Sequence, residues 1–169
     1  MKAKCYKVKK LSWYDLEAPL FSSFKKCSYQ KYIERFIEQL TPISEDMAAY
    51  TKHVCEKGWL DVEERKNKAP GGFCTPFPEA GESRIYLSYA GHFDSERVVA
   101  HELGHGYHGH ELFHLPYFAQ KYPMCLAEMA STFFEQITMD GYIQNAQSTQ
   151  EKQKYLFEKV QRHASFLQN

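Results

Sequence analysis

The pattern His101-Glu102-Leu103-Gly104-His105 constrains this chain more than any other stretch of its sequence. On an α-helix, residues four positions apart lie one above the other on the same face. The imidazoles of His101 and His105 can therefore reach one zinc ion at about 2.0–2.1 Å. Glu102 follows the first histidine, so its carboxylate can accept a proton from a water on that metal and pass it on. The pattern predicts a helix that supplies two zinc ligands and one general base.

The residues before this pattern predict the context that such a helix needs. Arg84–Ala90 alternates its side chains between two faces and is the most strand-like segment of the chain. Gly91 ends the predicted strand, and Asp94 or Ser95 is the expected N-cap of the helix that follows. Apolar side chains on that helix predict that it is partly buried, and they are Val98, Val99 and Leu103. The alternative is a solvated histidine pair on a surface helix.

A catalytic zinc site also needs a third protein ligand, with the fourth position left open. The best downstream candidate is Glu128, which lies in the otherwise apolar segment CLAEMASTFFE. Glu135 follows seven residues later and so shares the helix face of Glu128. We predict Glu128 as the third ligand and Glu135 as the residue that orients a ligand histidine, with a plain surface glutamate as the alternative for Glu135. His108, three residues after His105, is a second supporting candidate, with a partly buried structural histidine as the alternative.

The rest of the chain is predicted to be mostly helical. Ser28 and Ser44 are the expected N-caps of two helices, and Gly58 is the expected stop of the second. Residues 59–78 are rich in glycine and proline and predict a loop or a hairpin. We therefore predict one α+β domain over residues 1–169, mostly helical with a small β-sheet or hairpin.

Two more helices are expected after a break at Leu115-Pro116. Ser148 is the expected start of the last one. The helix before it carries Glu128, and its apolar periodicity predicts that it faces the core with Leu126, Met129, Phe133 and Ile137.

The composition argues against several classes of protein. Lys+Arg and Asp+Glu both number 21, so a broad surface for nucleic acid is not expected. No apolar run approaches the length of a membrane span, and no apolar signal-peptide segment follows the basic N-terminus. Five cysteines without a CxxC pair favour reduced thiols over a disulfide framework. We expect a cytoplasmic protein with neither a membrane nor a nucleic acid as its partner.

Three segments together resemble a known enzyme family. They are Lys68-Ala69-Pro70-Gly71-Gly72, the predicted strand and helix of Arg84–His105, and the AEMASTFFE segment of Ala127–Glu135. This assembly is similar to the oligoendopeptidase F branch of the thimet oligopeptidase family of zinc metallopeptidases. The segments occur in the family's order, and the resemblance covers nearly all of the chain.

The resemblance implies a zincin-like catalytic core in which two helices cross at one zinc ion. It implies His101, His105 and Glu128 as the ligands, and Glu102 as the general base and acid in the hydrolysis of oligopeptides. It also implies a substrate-binding surface, because an extended peptide would add to the strand Arg84–Ala90 and glycine would let the backbone approach it closely. The residues assigned to that surface are Gly71, Gly72, Tyr86 and Ser88.

Members of that family are much longer than 169 residues. They carry a helical portion that walls the substrate channel, and a later segment whose histidine and tyrosines stabilise the oxyanion. Neither is recognisable in this sequence, and the loss of an oxyanion donor costs about 10²–10³ in kcat. Two further hypotheses therefore remain beside the peptidase: a zinc-binding module deficient in catalysis or a truncated fragment of an oligopeptidase, and a helical interaction protein without metal. The expected partners are an oligopeptide substrate and either a second copy in a homo-oligomer or a complementing chain, of which the complementing chain would supply the missing wall.

Overall fold

The computed structural model describes residues 8–13, 26–69 and 71–166. Within these ranges the chain forms five α-helices and a three-stranded sheet, which confirms the predicted α+β class, mostly helical with a small sheet. None of the helices in these ranges is long and apolar enough to cross a membrane. The elements in chain order are α1 (Tyr29–Leu40), α2 (Glu45–Glu56), β1 (Leu60–Asp61), β2 (Gly72–Phe77), β3 (Glu82–Leu87), α3 (Phe93–Leu112), α4 (Met124–Gln144) and α5 (Thr149–Phe166).

Capping serines start the first two helices, as the sequence predicts. The Ser28 hydroxyl accepts a hydrogen bond from the backbone N–H of Lys31, and the Ser44 hydroxyl accepts one from Met47, each at 3.4 Å. Gly58 lies just beyond the end of α2 with a φ of 66°. Because this left-handed conformation favours glycine, Gly58 ends the helix where the sequence places the stop.

β3 is the central strand of the sheet, whose order is β1-β3-β2. β1 runs parallel to β3 and β2 runs antiparallel to it, so Tyr86 lies between Asp61 and Phe73. The region 59–78, predicted to be a loop or a hairpin, holds β1, a loop and β2, and the hairpin is formed by β2 with β3. Its second strand begins and ends earlier than the Arg84–Ala90 segment predicted from the alternation of side chains.

Lys68 closes the loop that leads from β1 to β2. Its side chain is only 2% exposed, and its Nζ lies 3.0 Å from the carboxylate of Asp61. The same Nζ donates to the backbone oxygens of Asp61, Glu63 and Leu87, at 2.9, 2.9 and 2.6 Å. These bonds hold the loop against the ends of β1 and β3.

The start of α3 differs from the prediction. His92 precedes the first turn, and the side chain of Ser95 accepts a hydrogen bond from the N–H of His92 at 3.1 Å. The expected N-cap, Asp94 or Ser95, is therefore wrong, because Ser95 caps the helix from inside its first turn. Beside it Glu96 is fully buried, and its carboxylate accepts hydrogen bonds from Arg35, Tyr89 and Tyr142. These bonds connect α3 to α1 and α4.

The core-facing side of α4 also differs from the prediction. Of the four apolar side chains expected in the core, only Ile137 is buried, and the other three are exposed by 44%, 62% and 44%: Leu126, Met129 and Phe133. The buried residues of α4 instead combine Phe134, Ile137 and Met139 with small or hydroxyl-bearing ones, namely Ser131, Thr138 and Gly141. Small residues face inward because α4 lies against its neighbours at close range. A Cβ added to Gly141 would overlap the side chain of Gln39 in α1.

Candidate metal centre

The three side chains assigned as ligands meet where α3 and α4 cross. The Nε2 atoms of His101 and His105 are 3.1 Å apart. The carboxylate oxygens of Glu128 lie 3.4 Å from the first of these nitrogens and 3.8 Å from the second. Ligand atoms about 2.0–2.1 Å from a tetrahedral zinc ion are themselves separated by about 3.3 Å. The three spacings therefore suit one zinc-sized ion, and among the described residues no other group of His, Cys, Asp and Glu side chains is close enough to share a metal.

The hydrogen bond on the far side of His101 leaves its Nε2 free to bind a metal. Nδ1 lies 2.6 Å from Oε1 of Glu135, so the proton of the neutral ring is placed on Nδ1 and the lone pair on Nε2. Burial and the nearby His101 lower the pKa of His105, which favours its neutral form. Two imidazole nitrogens that face each other beside a carboxylate form the donor set that zinc takes in proteins.

Glu135 lies behind His101 and divides its carboxylate between two partners. Its second oxygen, Oε2, accepts a hydrogen bond from Nη1 of Arg97 at 2.7 Å. Burial raises the pKa of Glu135, but its bonds to His101 and Arg97 outweigh burial and hold that pKa below its usual range. Burial also lowers the pKa of His101, and there again the contact with Glu135 outweighs it, so the pKa is raised. A carboxylate in this position fixes the tautomer and the orientation of a ligand histidine.

Sequence reasoning missed two residues that support the ligands. Ser131 is buried, and its hydroxyl lies 3.0 Å from Oε2 of Glu128. Arg97 holds Glu135 from α3. Each lies about one helical turn from a ligand, at Glu128+3 and His101−4, and this spacing is the signal that could have found them. Spacing alone does not select Arg97 and Ser131, because the way the two helices cross determines which side chains come into contact.

Glu102 is 5% exposed and lies against the start of β2. A Cβ added to Gly72 would come within 3.0 Å of Oε1 of Glu102, so the glycine leaves space for this carboxylate. Burial raises the pKa of Glu102 to about 6, with the charges of Glu128 and Glu135 adding to the shift and His101 opposing it. A carboxyl group that titrates near neutral pH can both accept a proton and return it.

A cavity of about 390 Å³ opens over the three ligands and Glu102. β2 contributes one wall, with Gly72 and Phe73 among its residues. The segment that leads into α4 contributes another wall, with Tyr122 and Met124. Since β2 is an edge strand, its outer side has no partner strand among the described residues, and residues of this strand line the same cavity as the candidate ligands.

This geometry corrects the predicted role of β3. Tyr86 pairs with neighbouring strands on both sides, so an extended substrate cannot add to β3 there. Ser88 follows the end of the strand, and Gly71, Tyr86 and Ser88, although all described, do not line the cavity. Of the four residues assigned to substrate binding, only Gly72 lies at the site. The alternation of side chains identified the strand correctly but could not reveal that two strands flank it.

Two further polar side chains lie close to the cavity without joining the ligands. The ring of His108 stacks on Tyr122 with 4.3 Å between centroids, and its buried Nδ1 has no hydrogen-bond partner among the described residues. Burial lowers the pKa of His108. Cys74 lines the cavity, and burial together with the charge of Glu102 raises the pKa of its thiol to about 12. A raised pKa disfavours the thiolate, which is the nucleophilic form.

Comparison with known proteins places this site in a family. The sequence pattern of Peptidase family M3 matches residues 30–168, which include both crossing helices and the sheet. The chain belongs to Peptidase family M3. Within that family it is 26% identical over 156 residues to the chromosomal oligoendopeptidase F of Lactococcus lactis subsp. cremoris, a match that covers 92% of this chain. It is also 26% identical to oligopeptidase PepF of Bacillus subtilis, in a match that covers 91% of this chain.

Solved structures share the fold of this family M3 chain. A Chlamydophila abortus protein described as a peptidase candidate superposes with a TM-score of 0.78 at 29% identity and covers 94% of the chain. PZ peptidase A, solved with an inhibitor, superposes with a TM-score of 0.78 at 23% identity over the same share of the chain. The chain spans about a quarter of the length of the curated relatives it matches, 25% for the Lactococcus protein and 23% for the Bacillus protein.

Proposed function

We propose that this protein is a zinc-dependent peptidase that hydrolyses oligopeptides. The observation that carries the proposal is the convergence of two histidine nitrogens and one carboxylate, 3.1–3.8 Å apart, next to a buried glutamate. Membership of Peptidase family M3 supports the reaction, and the names of the oligoendopeptidase relatives support the class of substrate.

In this proposal His101, His105 and Glu128 hold the ion, and Glu135 orients His101 through its Nδ1 proton. When bound there, a zinc ion would supply Lewis-acid chemistry, the polarisation of the scissile carbonyl and a lowered pKa of about 7 for a bound water. Glu102 accepts the proton of the attacking water and returns it to the leaving amine. Its burial beneath β2 keeps bulk water from competing for that proton and holds the carboxylate beside the ligands.

The outer edge of β2 is the proposed site for the substrate backbone. A peptide that adds to this edge as a further strand lies across the opening of the cavity, with its scissile bond close to Glu102. Gly72 supports this placement, because it brings the strand close to the glutamate without a side chain between them.

A catalytically deficient zinc-binding module is the second candidate function. In such a module α3 and α4 alone would hold the ion, whereas hydrolysis also needs a donor for the oxyanion.

Cleavage of a fluorogenic oligopeptide by the zinc-loaded protein and its Glu102→Gln variant tests the peptidase. We expect the substitution to lower kcat/KM by about 10²–10⁴ while the zinc content stays the same, because only the proton acceptor is lost. Glu111→Gln is the matched control, since Glu111 is exposed near the end of the same helix, and we expect it to leave the rate unchanged. Bound zinc without Glu102-dependent cleavage would support the deficient module instead.

A further inference from the structure

A row of side-chain contacts links the two crossing helices, and Arg97 is at one end of it. On α3, Arg97, His101 and His105 follow one another at intervals of four residues and so share a face. On α4, Glu135 and Glu128 are seven residues apart and share the face opposite. The contacts alternate between the helices, from Arg97 to Glu135, then to His101, Glu128 and His105.

Glu135 contacts both Arg97 and His101 and so connects the arginine to the candidate ligands. Its Oε2 accepts a hydrogen bond from Nη1 of Arg97 at 2.7 Å, and its Oε1 lies 2.6 Å from Nδ1 of His101. The side chains of Arg97 and Glu135 are only 24% and 13% exposed, so water screens this contact less than it screens a surface pair. With both oxygens engaged, the carboxylate cannot rotate without losing a bond.

We propose that Arg97 is a positioning residue for the zinc site. It holds the Glu135 carboxylate in the rotation that accepts the Nδ1 proton of His101, and thereby keeps Nε2 of that histidine directed at the ion. The role rests on the proposed zinc site, and Arg97 itself touches none of the three ligands in this row of contacts. Hydrogen-bond partners behind a ligand contribute about 10–100-fold to metal affinity.

The dissociation constant for zinc, measured by competition with a chromophoric chelator, tests this role. We expect Arg97→Gln to weaken zinc binding about tenfold, at the lower end of that range because Arg97 acts through Glu135. Arg97→Lys should restore most of the affinity, since the contact uses a single nitrogen that an ammonium group can replace. Arg84→Gln is the matched control: Arg84 pairs with the neighbouring Glu82 in β3, and its loss should leave zinc affinity unchanged.

A double-mutant cycle distinguishes positioning from a general loss of stability. In a Glu135→Ala background the carboxylate that joins Arg97 to His101 is missing, so Arg97→Gln should weaken zinc binding by less than about twofold. An equal loss in both backgrounds, or no loss in the single variant, would overturn the proposal. If Arg97→Gln does not fold, Arg97→Met, which also removes the hydrogen bond to Glu135, decides in the two backgrounds by the same comparison. A wild-type protein that binds no zinc would instead contradict the proposed function.

Discussion

Gly104 lies at the contact between α3 and α4 and sets how closely the ligands approach. A Cβ added there would lie 2.7 Å from the backbone oxygen of Ala130 and 2.8 Å from Cα of Ser131. Neither atom belongs to a flexible side chain, so any larger residue must push the two helices apart. Because Glu128 lies one turn before these contacts on α4, such a shift would carry it away from the histidines.

Replacement of Gly104 by alanine should therefore damage both stability and metal binding. We expect Gly104→Ala to lower the free energy of unfolding by about 1–3 kcal/mol, as overpacking does, and to weaken zinc binding. Denaturant unfolding and chelator competition measure the two effects. Gly109→Ala is the control in the same helix, because its Cβ would meet Phe113 at an ordinary 3.5 Å and alanine is the better helix former. A Gly104→Ala variant that behaves like Gly109→Ala would refute this reading of the helix contact.

Residue spacing selected the candidate ligands but not the residues that contact them. Helix periodicity brings His101 and His105 to one face, and the apolar surroundings of Glu128 singled out that glutamate. The structure brings all three within bonding reach of one ion. Arg97 and Ser131 could not be selected in the same way, because their contacts depend on the angle and offset at which two separate helices cross.

The α4 helix shows where periodicity fails at the scale of an element. Apolar side chains occupy two of its faces, and the sequence pattern favoured the face with Phe133 over the face with Phe134. Phe133 is 44% exposed and Phe134 is 1% exposed. Hydrophobic pattern alone does not separate two such faces, whereas close packing does, because Ser131 and Gly141 provide the room that a tight contact needs.

The two adjacent phenylalanines provide a test with a built-in control. We expect Phe134→Ala to lower the free energy of unfolding by about 3–5 kcal/mol, because it leaves a cavity among the side chains of the main core. Phe133→Ala should cost less than about 1 kcal/mol, since its ring already contacts water. Chemical denaturation of the two variants makes the measurement. Equal losses would show that both faces of α4 are covered in solution.

The sequence predicted that the chain contains β-strands but not how the strands are ordered in the sheet. Alternating side chains located β3 to within a few residues, whereas the loop or hairpin predicted over residues 59–78 holds β1 and β2, which do not pair with each other. The order β1-β3-β2 was not predictable, because β1 is only two residues long and its parallel pairing joins segments far apart in the chain. β2 therefore has the free edge, and the proposed substrate surface lies on β2 instead of on β3.

At the scale of the whole molecule, one main core joins α1, α2, the sheet, α3 and α4, and a smaller cluster gathers near α5 around Phe93, Met139 and Tyr155. This core places the candidate metal centre at its surface, between α3 and α4 and open to β2. The helical α+β class followed from the sequence, as did the family. A single domain over residues 1–169 and a cytoplasmic location stay predictions.

Zinc content is the most direct test of the central claim that His101, His105 and Glu128 hold one ion. Purified protein is loaded with zinc, freed of excess metal and measured by atomic spectroscopy. We predict one zinc per chain, with the metal lost in folded His101→Ala and Glu128→Ala variants and kept in His110→Ala, which removes an exposed histidine from the same helix. A wild-type chain without zinc, or ligand variants that keep a full equivalent, would contradict the claim.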